Sequence, residues 1–298
     1  MTEIVSMTMA HETDNSLDSE DAVPACILVF NASDPSGAGG VTGDALTIAS
    51  VGSHPLPIVT GVYVRDTAEI FDHIALDEEA VAEQARAVLE DLSVQVIKVG
   101  FCGTPETLST IAEITADYAD VPVVAYMPNL AWWQEGEIDN YLDAFRELML
   151  PQTTLLVGNH NTLWRWLLPD WSSEKPPSAR DISTPDQFID NVLAAPNSVL
   201  LSERVERFDA VFAGAGDTLS AALAGLLASG TDLQVATTEA LTYLDHSLNG
   251  GFRPGMGHVI ADRLFWAPQD DDLAESHDED NAAATAEDFS LPRHETKH

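Results

Sequence analysis

The stretch Gly214-Ala215-Gly216-Asp217-Thr218 stands directly before an apolar helical run at 219–227. Glycines on both sides of a small residue allow a sharp turn in which several backbone N–H groups point the same way. The helix adds its free N-terminal N–H groups and the positive end of its dipole, so such a turn typically binds phosphate. A carboxylate at Asp217 would repel an anion, but it suits a general base that takes a proton from an attacking hydroxyl. An ordinary helix start with an acidic first-turn residue also fits this loop.

A second stretch, near the N-terminus, combines a strand, a polar turn and a helix. Cys26-Ile27-Leu28-Val29-Phe30 is a short apolar run typical of a buried parallel strand. It leads into Asn31-Ala32-Ser33-Asp34-Pro35-Ser36-Gly37-Ala38-Gly39-Gly40 and then a helical pattern. Asp34 and Ser36 therefore lie at the carboxyl end of a strand, where open α/β sheets bind ligands. The glycine spacing matches neither a dinucleotide-binding fingerprint nor a Walker A loop.

Strand and helix patterns alternate along the rest of the chain, which predicts an α/β domain with right-handed parallel crossovers. Further strands are predicted at 57–63, 94–99, 121–126, 153–157, 198–201 and 210–212. Helices are predicted at 78–92, 105–118, 138–149, 161–168, 219–228, 233–248 and 258–265.

Together, the two glycine-rich stretches resemble the ribokinase-like superfamily and, within it, the hydroxymethylpyrimidine/phosphomethylpyrimidine kinases of thiamine biosynthesis. The resemblance is carried by Ala32–Gly40 with Asp44, and by Gly214–Ala222, and it extends from about Cys26 to Trp266. It implies a three-layer α/β/α fold with a mainly parallel central sheet. It also implies phosphorylation of hydroxymethylpyrimidine or its monophosphate, with ATP and Mg²⁺ as cofactors.

The resemblance assigns catalytic roles to the second glycine turn. Asp217 is the expected general base, and the backbone around Gly214, Ala215 and Gly216 is the expected anion hole for the transferring phosphoryl group. The nine histidines show no metal-ligand spacing, so no metal site built from protein side chains is predicted. Lys98 follows a strand, where it could meet a phosphate or be solvated.

The resemblance also implies binding residues. Asp34, Gly37 and Arg65 are expected to contact the substrate, and Asn159 and Thr218 are expected to face the nucleotide. Arg65 stands where pyrimidine kinases usually carry a Gln. Because an arginine has donors but no acceptor, it cannot return both hydrogen bonds of an aminopyrimidine edge. A solvated loop arginine near Asp66 is the alternative interpretation.

Two departures from the family pattern bear on whether this chain is active. Thr162 stands where the family usually has a Glu three residues after Asn159, which predicts weaker Mg·ATP binding. A helix and a central strand of the family are missing between Ser183 and Thr184. The alternatives are therefore a non-catalytic relative that binds a pyrimidine or a nucleotide, and a pyridoxal-type vitamin kinase.

Composition limits the classes of partner and predicts the domain limits. The chain of 298 residues has 49 Asp and Glu against 13 Lys and Arg, a formal net charge of −36, which argues against nucleic-acid binding. Residues 1–23 and 268–298 are predicted to be disordered acidic ends around one domain at 24–267. No run approaches the ~20 apolar residues of a membrane span, and the two cysteines suit a reducing compartment, so a cytoplasmic protein is expected. The resemblance suggests a homodimer.

Overall fold

The computed structural model of this chain describes residues 23–163 and 188–267. A main unit ends at Arg263, and a C-terminal unit starts at Leu264. In the C-terminal unit, residues 264–267 form a turn in which the N–H of Ala267 donates to the carbonyl of Leu264. In the part of the chain that is described, no helix is long and apolar enough to cross a membrane. The predicted acidic ends stay predictions, because residues 1–22 and 268–298 lie outside the described residues.

The main unit is built on a six-stranded sheet. Its strands are β1 (Cys26–Ser33), β2 (His54–Arg65), β3 (Ile70–Ala75), β4 (Val96–Val99), β5 (Val123–Met127) and β6 (Leu155–Gly158). Their order across the sheet is β3-β2-β1-β4-β5-β6. Every neighbouring pair is parallel except β2 and β3, which pair antiparallel. The carboxyl ends of the parallel strands therefore meet at one edge, where a ligand site is expected.

Helices cover both faces of this sheet. They are α1 (Gly40–Ser50), α2 (Glu78–Leu89), α3 (Pro105–Asp117), α4 (Glu135–Ala144), α5 (His160–Thr162), α6 (Ala215–Ala228) and α7 (Leu233–Asn249). Successive side chains of a strand point to opposite faces. Leu28 of β1 belongs to the core cluster under α2, α3 and α4, whereas Ile27 belongs to the cluster under α1 and α6. The predicted three-layer α/β/α fold with a mainly parallel sheet is confirmed.

A separate antiparallel hairpin follows the undescribed segment 164–187. Its strands are β7 (Phe188–Ala195) and β8 (Ser198–Glu206). The strand predicted at 198–201 lies within β8, but it was expected in the alternating pattern of strands and helices and not in a hairpin. The strand β7 was not predicted from the sequence. The proposed loss of a helix and a strand at Ser183 and Thr184 lies outside the described residues. In the described ranges, β3 and β6 are the two edge strands of the main sheet.

The predicted helix at 258–265 is wrong. Val259–Ile260 forms a short strand, β10, which pairs in parallel with β9 (Phe212–Ala213). The backbone before it is already bonded elsewhere, because the N–H of His258 donates to the carbonyl of Thr67 at 2.9 Å. These tertiary hydrogen bonds replace the local bonds that a helix would need.

Candidate active site

The first glycine-rich loop, between β1 and α1, is organised by the carboxylate of Asp34. Its Oδ1 accepts hydrogen bonds from the N–H and the hydroxyl of Ser36, at 2.8 and 2.6 Å. Its Oδ2 accepts from the N–H of Gly39 at 3.0 Å. Gly37 has a φ of 71°, in the left-handed region that favours glycine, and a Cβ added there would meet nothing within 4 Å. The loop is therefore held in shape by one buried carboxylate.

Arg65, at the end of β2, is a further partner of the Asp34 carboxylate. Its Nη1 lies 3.0 Å from Asp34 Oδ2, with side-chain exposures of 10% and 1%. Its Nε donates to the carbonyl of Asp66 at 3.0 Å. The side chain of Arg65 is thus largely buried rather than freely solvated. With four donors, the Asp34 carboxylate uses its about four lone-pair sites within the protein. The assignment of Asp34, Gly37 and Arg65 to substrate binding stays a prediction.

The second glycine turn packs directly on the first. Gly214 has a φ of 79° and lies against the carbonyl of Ala38 so closely that a Cβ there would overlap the oxygen. Arg263 also holds the first loop, since it donates to the carbonyls of Gly37 and Ala38. Arg263 was not identified from the sequence, because a single arginine near the end of the domain carries no local signal. Both glycine turns are therefore joined at one edge of the sheet.

The N-terminus of α6 follows Gly214 and has no side-chain cap. The N–H groups of Ala215, Gly216 and Asp217 belong to the first helical turn, where backbone donors have no partner within the helix. Gly216 lies against the hydroxyl of Tyr126 in β5, so any larger side chain there would clash. Burial raises the pKa of Tyr126, so this hydroxyl keeps its proton and stays a donor. The assignment of Gly214, Ala215 and Gly216 to an anion hole stays a prediction.

Asp217, in the first turn of α6, lies against the first glycine loop, and its two carboxylate oxygens have different surroundings. Oδ1 accepts a hydrogen bond from Asn31 Nδ2 at 2.9 Å. Oδ2 lies beside Gly39, where a Cβ would be only 2.6 Å away. The side chain is 17% exposed. One oxygen is thus anchored inward, and the other lies on the side of the first loop.

A buried ionic network lies behind Asp217. Lys98 Nζ lies 2.6 Å from Asp44 Oδ1 and 3.7 Å from Asp217 Oδ1, and both Lys98 and Asp44 are fully buried. Burial raises the pKa of Asp44 to about 6, although the charge of Lys98 acts in the opposite direction. The sequence placed Lys98 at a phosphate or in solvent. The structure instead buries it in β4 against a carboxylate 54 residues away in the chain.

The residues assigned to the nucleotide lie on different elements of the fold. Asn159 is exposed and follows β6, and Thr162 ends the short helix α5. Thr218 is buried, and its hydroxyl donates to the carbonyl of Gly214 at 3.0 Å. Their nucleotide contacts stay predictions. Within the described ranges, no group of three or more His, Cys, Asp or Glu side chains could hold a metal ion.

An aromatic cluster packs beside β4. Phe101 stacks on Tyr63, with ring centroids 5.7 Å apart, and contacts Trp132 and Trp133 edge-on. A cavity of about 230 Å³ beside it is lined by both tryptophans and by His73. Burial lowers the pKa of His73 to about 4, so the ring is neutral at pH 7. The two tryptophans thus pack against the core and also line this cavity.

Comparison with known proteins places this geometry in a family. The family model for phosphomethylpyrimidine kinase matches residues 34–262. A hydroxymethylpyrimidine/phosphomethylpyrimidine kinase of Streptomyces coelicolor is 26% identical over 249 residues, which cover 78% of this chain and 92% of that protein. The enzyme of the same name in Mycobacterium bovis is 28% identical over 268 residues, which cover 81% and 94%.

Solved structures share the fold. An ADP complex of Bacillus subtilis pyridoxal kinase has a TM-score of 0.70 at 17% identity, and the match covers 82% of this chain and 98% of that chain. A phosphomethylpyrimidine kinase from Clostridium difficile 630 has a TM-score of 0.56 at 19% identity, with 74% and 99% covered. The fold and the paired glycine turns define a ribokinase-like kinase. Because the family model spans most of its length, this chain belongs to the phosphomethylpyrimidine kinase family.

Proposed function

We propose that this chain transfers the γ-phosphoryl group of ATP to the hydroxymethyl group of hydroxymethylpyrimidine, to the phosphate of its monophosphate, or to both, in thiamine biosynthesis. The observation that carries the proposal is the position of Asp217. Its carboxylate is anchored through Oδ1 and lies against Gly39 through Oδ2, at the uncapped start of α6. A base and an anion hole are thus built on the same helical turn.

In the proposed reaction, the substrate hydroxyl lies at Asp217 Oδ2. The carboxylate takes the hydroxyl proton as the oxygen attacks the γ-phosphorus, and ADP leaves with the electrons of the broken P–O bond. The N–H groups of Ala215, Gly216 and Asp217 stabilise the charge on the transferring group. The dipole of α6, a helix of 14 residues, acts in the same direction.

Mg²⁺ enters this scheme with the nucleotide. Since the described residues hold no carboxylate or histidine cluster for a cation, the phosphates of ATP would supply most of the ligands. When bound, Mg²⁺ would neutralise phosphate charge. Asn159 and Thr218 are the proposed nucleotide contacts, and Thr162 contributes a hydroxyl where a carboxylate would bind a cation more strongly.

A homodimer is the proposed assembly. The antiparallel ribbon of β2 and β3 exposes four apolar side chains, which are Val62, Val64, Phe71 and Ile74. Exposed apolar surface of this kind supports contact with a second copy. Light scattering over a range of concentrations tests it, and a monomer throughout would contradict it.

The test of the activity is ADP release by the purified chain with Mg·ATP, with and without hydroxymethylpyrimidine. Release that depends on the pyrimidine is the expected result. A folded, monodisperse sample without turnover would contradict the proposal and favour a relative that only binds its ligands.

Calorimetric titration separates the remaining alternatives. Hydroxymethylpyrimidine and Mg·ATP are expected to bind, and hydroxymethylpyrimidine is expected to bind more tightly than pyridoxal. Tighter binding and faster turnover of pyridoxal would assign the chain to the pyridoxal-type vitamin kinases. Binding of the pyrimidine without phosphoryl transfer would assign it to the non-catalytic class.

A further inference from the structure

Two fully buried charged residues lie next to the proposed base but have no role in the reaction as written. Lys98 in β4 and Asp44 in α1 form an ion pair of 2.6 Å. Burying a charged pair is costly, since each charge loses its hydration, and such a pair is weak evidence for stability alone. Apolar side chains of similar size would pack in the same place without that cost. The network therefore calls for a functional explanation.

Asn31 connects this pair to Asp217. Its Oδ1 accepts the N–H groups of Ala32 and Phe101, at 2.9 and 3.1 Å, so the orientation of the amide is set by the backbone. Its Nδ2 then has to point at the carboxylates, and it donates to Asp44 Oδ2 at 2.8 Å and to Asp217 Oδ1 at 2.9 Å. One amide group thus ties the two carboxylates together.

Lys98 is shared by the same two carboxylates. Its Nζ lies 2.6 Å from Asp44 and 3.7 Å from Asp217. Two negative charges thus compete for one close positive charge. Titratable groups from β2, β5 and the segment after β10 also interact electrostatically with Asp217, among them Tyr63, Tyr126 and Arg263.

We propose that Asp44, through Asn31, and Lys98, directly, are positioning residues that hold Asp217 Oδ1 and set the pH at which this base becomes available. The proposal rests on the proposed function, because it assigns Asp217 as the base. Neither residue touches the substrate in this account. They act only on Asp217, by charge and by a shared hydrogen-bond donor.

Opposite electrostatic changes should follow from removing each partner. In Asp44→Asn, Lys98 keeps only Asp217 as a carboxylate partner and a negative neighbour disappears, so Asp217 holds its proton less strongly. In Lys98→Met, the linked carboxylates of Asp44 and Asp217 lose their close positive charge, so Asp217 holds its proton more strongly. A charge within a few ångströms typically moves a carboxyl titration by about 1–3 pH units. The double variant removes both charges, and the two effects offset each other.

The experiment compares the acidic limb of the kcat/KM profile in the wild type, the two single variants and the double variant. The limb is expected to move down by about one pH unit in Asp44→Asn and up by about one in Lys98→Met, and to return towards the wild type in the double variant. Asp44→Asn keeps the side-chain shape, so it stays informative if Lys98→Met does not fold. Asp143→Asn, which removes the carboxylate of the exposed Arg146–Asp143 pair, is the matched control and should leave the limb unchanged.

A merely structural role would lower activity or stability in these variants without moving the limb, and that result would overturn the proposal. Carboxyl ¹³C NMR of aspartate-labelled protein gives a second measurement that needs no turnover, with the Asp217 signal assigned by its loss in Asp217→Asn. If the wild type turns over no substrate, the proposed function fails. The direction in which Asp44→Asn moves the Asp217 signal still tests this inference.

Discussion

Arg65 and Asp34 form an ion pair between the end of β2 and the first glycine loop, with Nη1 and Oδ2 3.0 Å apart. In Arg65→Met, the Asp34 carboxylate loses the positive charge of Arg65 but keeps the hydroxyl and N–H donors of its own loop. A buried charge with a missing partner destabilises the fold, here by about 1–3 kcal/mol. Urea unfolding of the variant and the wild type measures this difference.

The matched control is Arg204→Met in the hairpin of β7 and β8. Arg204 also binds an aspartate, Asp190, at 2.7 Å, but its side chain is 57% exposed. Exposed pairs contribute below about 1 kcal/mol. Equal losses of stability in the two variants would show that burial of the Arg65 pair has no energetic effect.

Gly214→Ala is expected to disrupt the contact between the two glycine turns. The new Cβ would overlap the carbonyl of Ala38, and the positive φ of 79° is strained for alanine. Gly230→Ala is the control, because Gly230 has a φ of 87° with open space around it, so only the backbone cost of about 1 kcal/mol applies. Thermal melting should show a larger loss for Gly214→Ala. A similar loss in both would contradict the close packing of the turns.

Gly39→Ala tests the placement of the base with little change in stability. Gly39 has a negative φ, and an added Cβ would lie 2.6 Å from Asp217 Oδ2. Since Asn31 holds the other oxygen, the carboxylate has to rotate away, and a displacement of this size can lower kcat by about 10²-fold. Gly136→Ala, where a Cβ meets nothing within 4 Å, should keep normal kcat. Normal kcat in Gly39→Ala would place the proton acceptor elsewhere.

Burial of the His73 ring should make the free energy of unfolding depend on pH. Its pKa is lowered from 6.5 to about 4 in the folded protein by burial, so between these pH values the unfolded state binds more protons than the folded state. The free energy of unfolding should therefore fall as the pH falls from 7 to 5. After allowance for partial exposure, the contribution of His73 is about 1–2 kcal/mol.

The measurement for His73 is urea unfolding at pH 7 and pH 5 for the wild type and His73→Phe. Because Phe does not titrate, the difference between the two proteins isolates the histidine from Asp44, whose raised pKa acts in the opposite direction over the same interval. A wild type that loses no more stability than His73→Phe at pH 5 would show that the ring is already charged when folded.

The sequence predicted the parts of the fold whose signals are local. The patterns that predicted the strand at Cys26–Phe30 and the two glycine turns depend only on neighbouring residues. The structure has the strand and both turns where they were predicted. The partners of Lys98 could not be predicted in this way, because Asp44 and Asp217 reach it only when α1, β4 and α6 pack together. The same reason explains Arg263, which contacts a loop more than 200 residues earlier in the chain.

Errors in the predicted elements also have a physical cause. Ile70–Ala75 is short and half exposed, so its pattern resembles a loop until β2 pairs with it. The segment 258–265 has apolar spacing that suits a helix, but Val259 pairs with Phe212 and its backbone is committed to a strand. In both cases tertiary hydrogen bonds outweighed the local preference.

The most direct test of the central claim is the rate of phosphoryl transfer from ATP to hydroxymethylpyrimidine in Asp217→Asn, compared with Asp245→Asn on the exposed surface of α7. Asparagine keeps the shape of the side chain but cannot accept the hydroxyl proton. We expect kcat to fall by about 10²–10⁴-fold in Asp217→Asn, with unchanged melting temperature, and to stay normal in Asp245→Asn. Wild-type kcat in a folded Asp217→Asn protein would contradict the account.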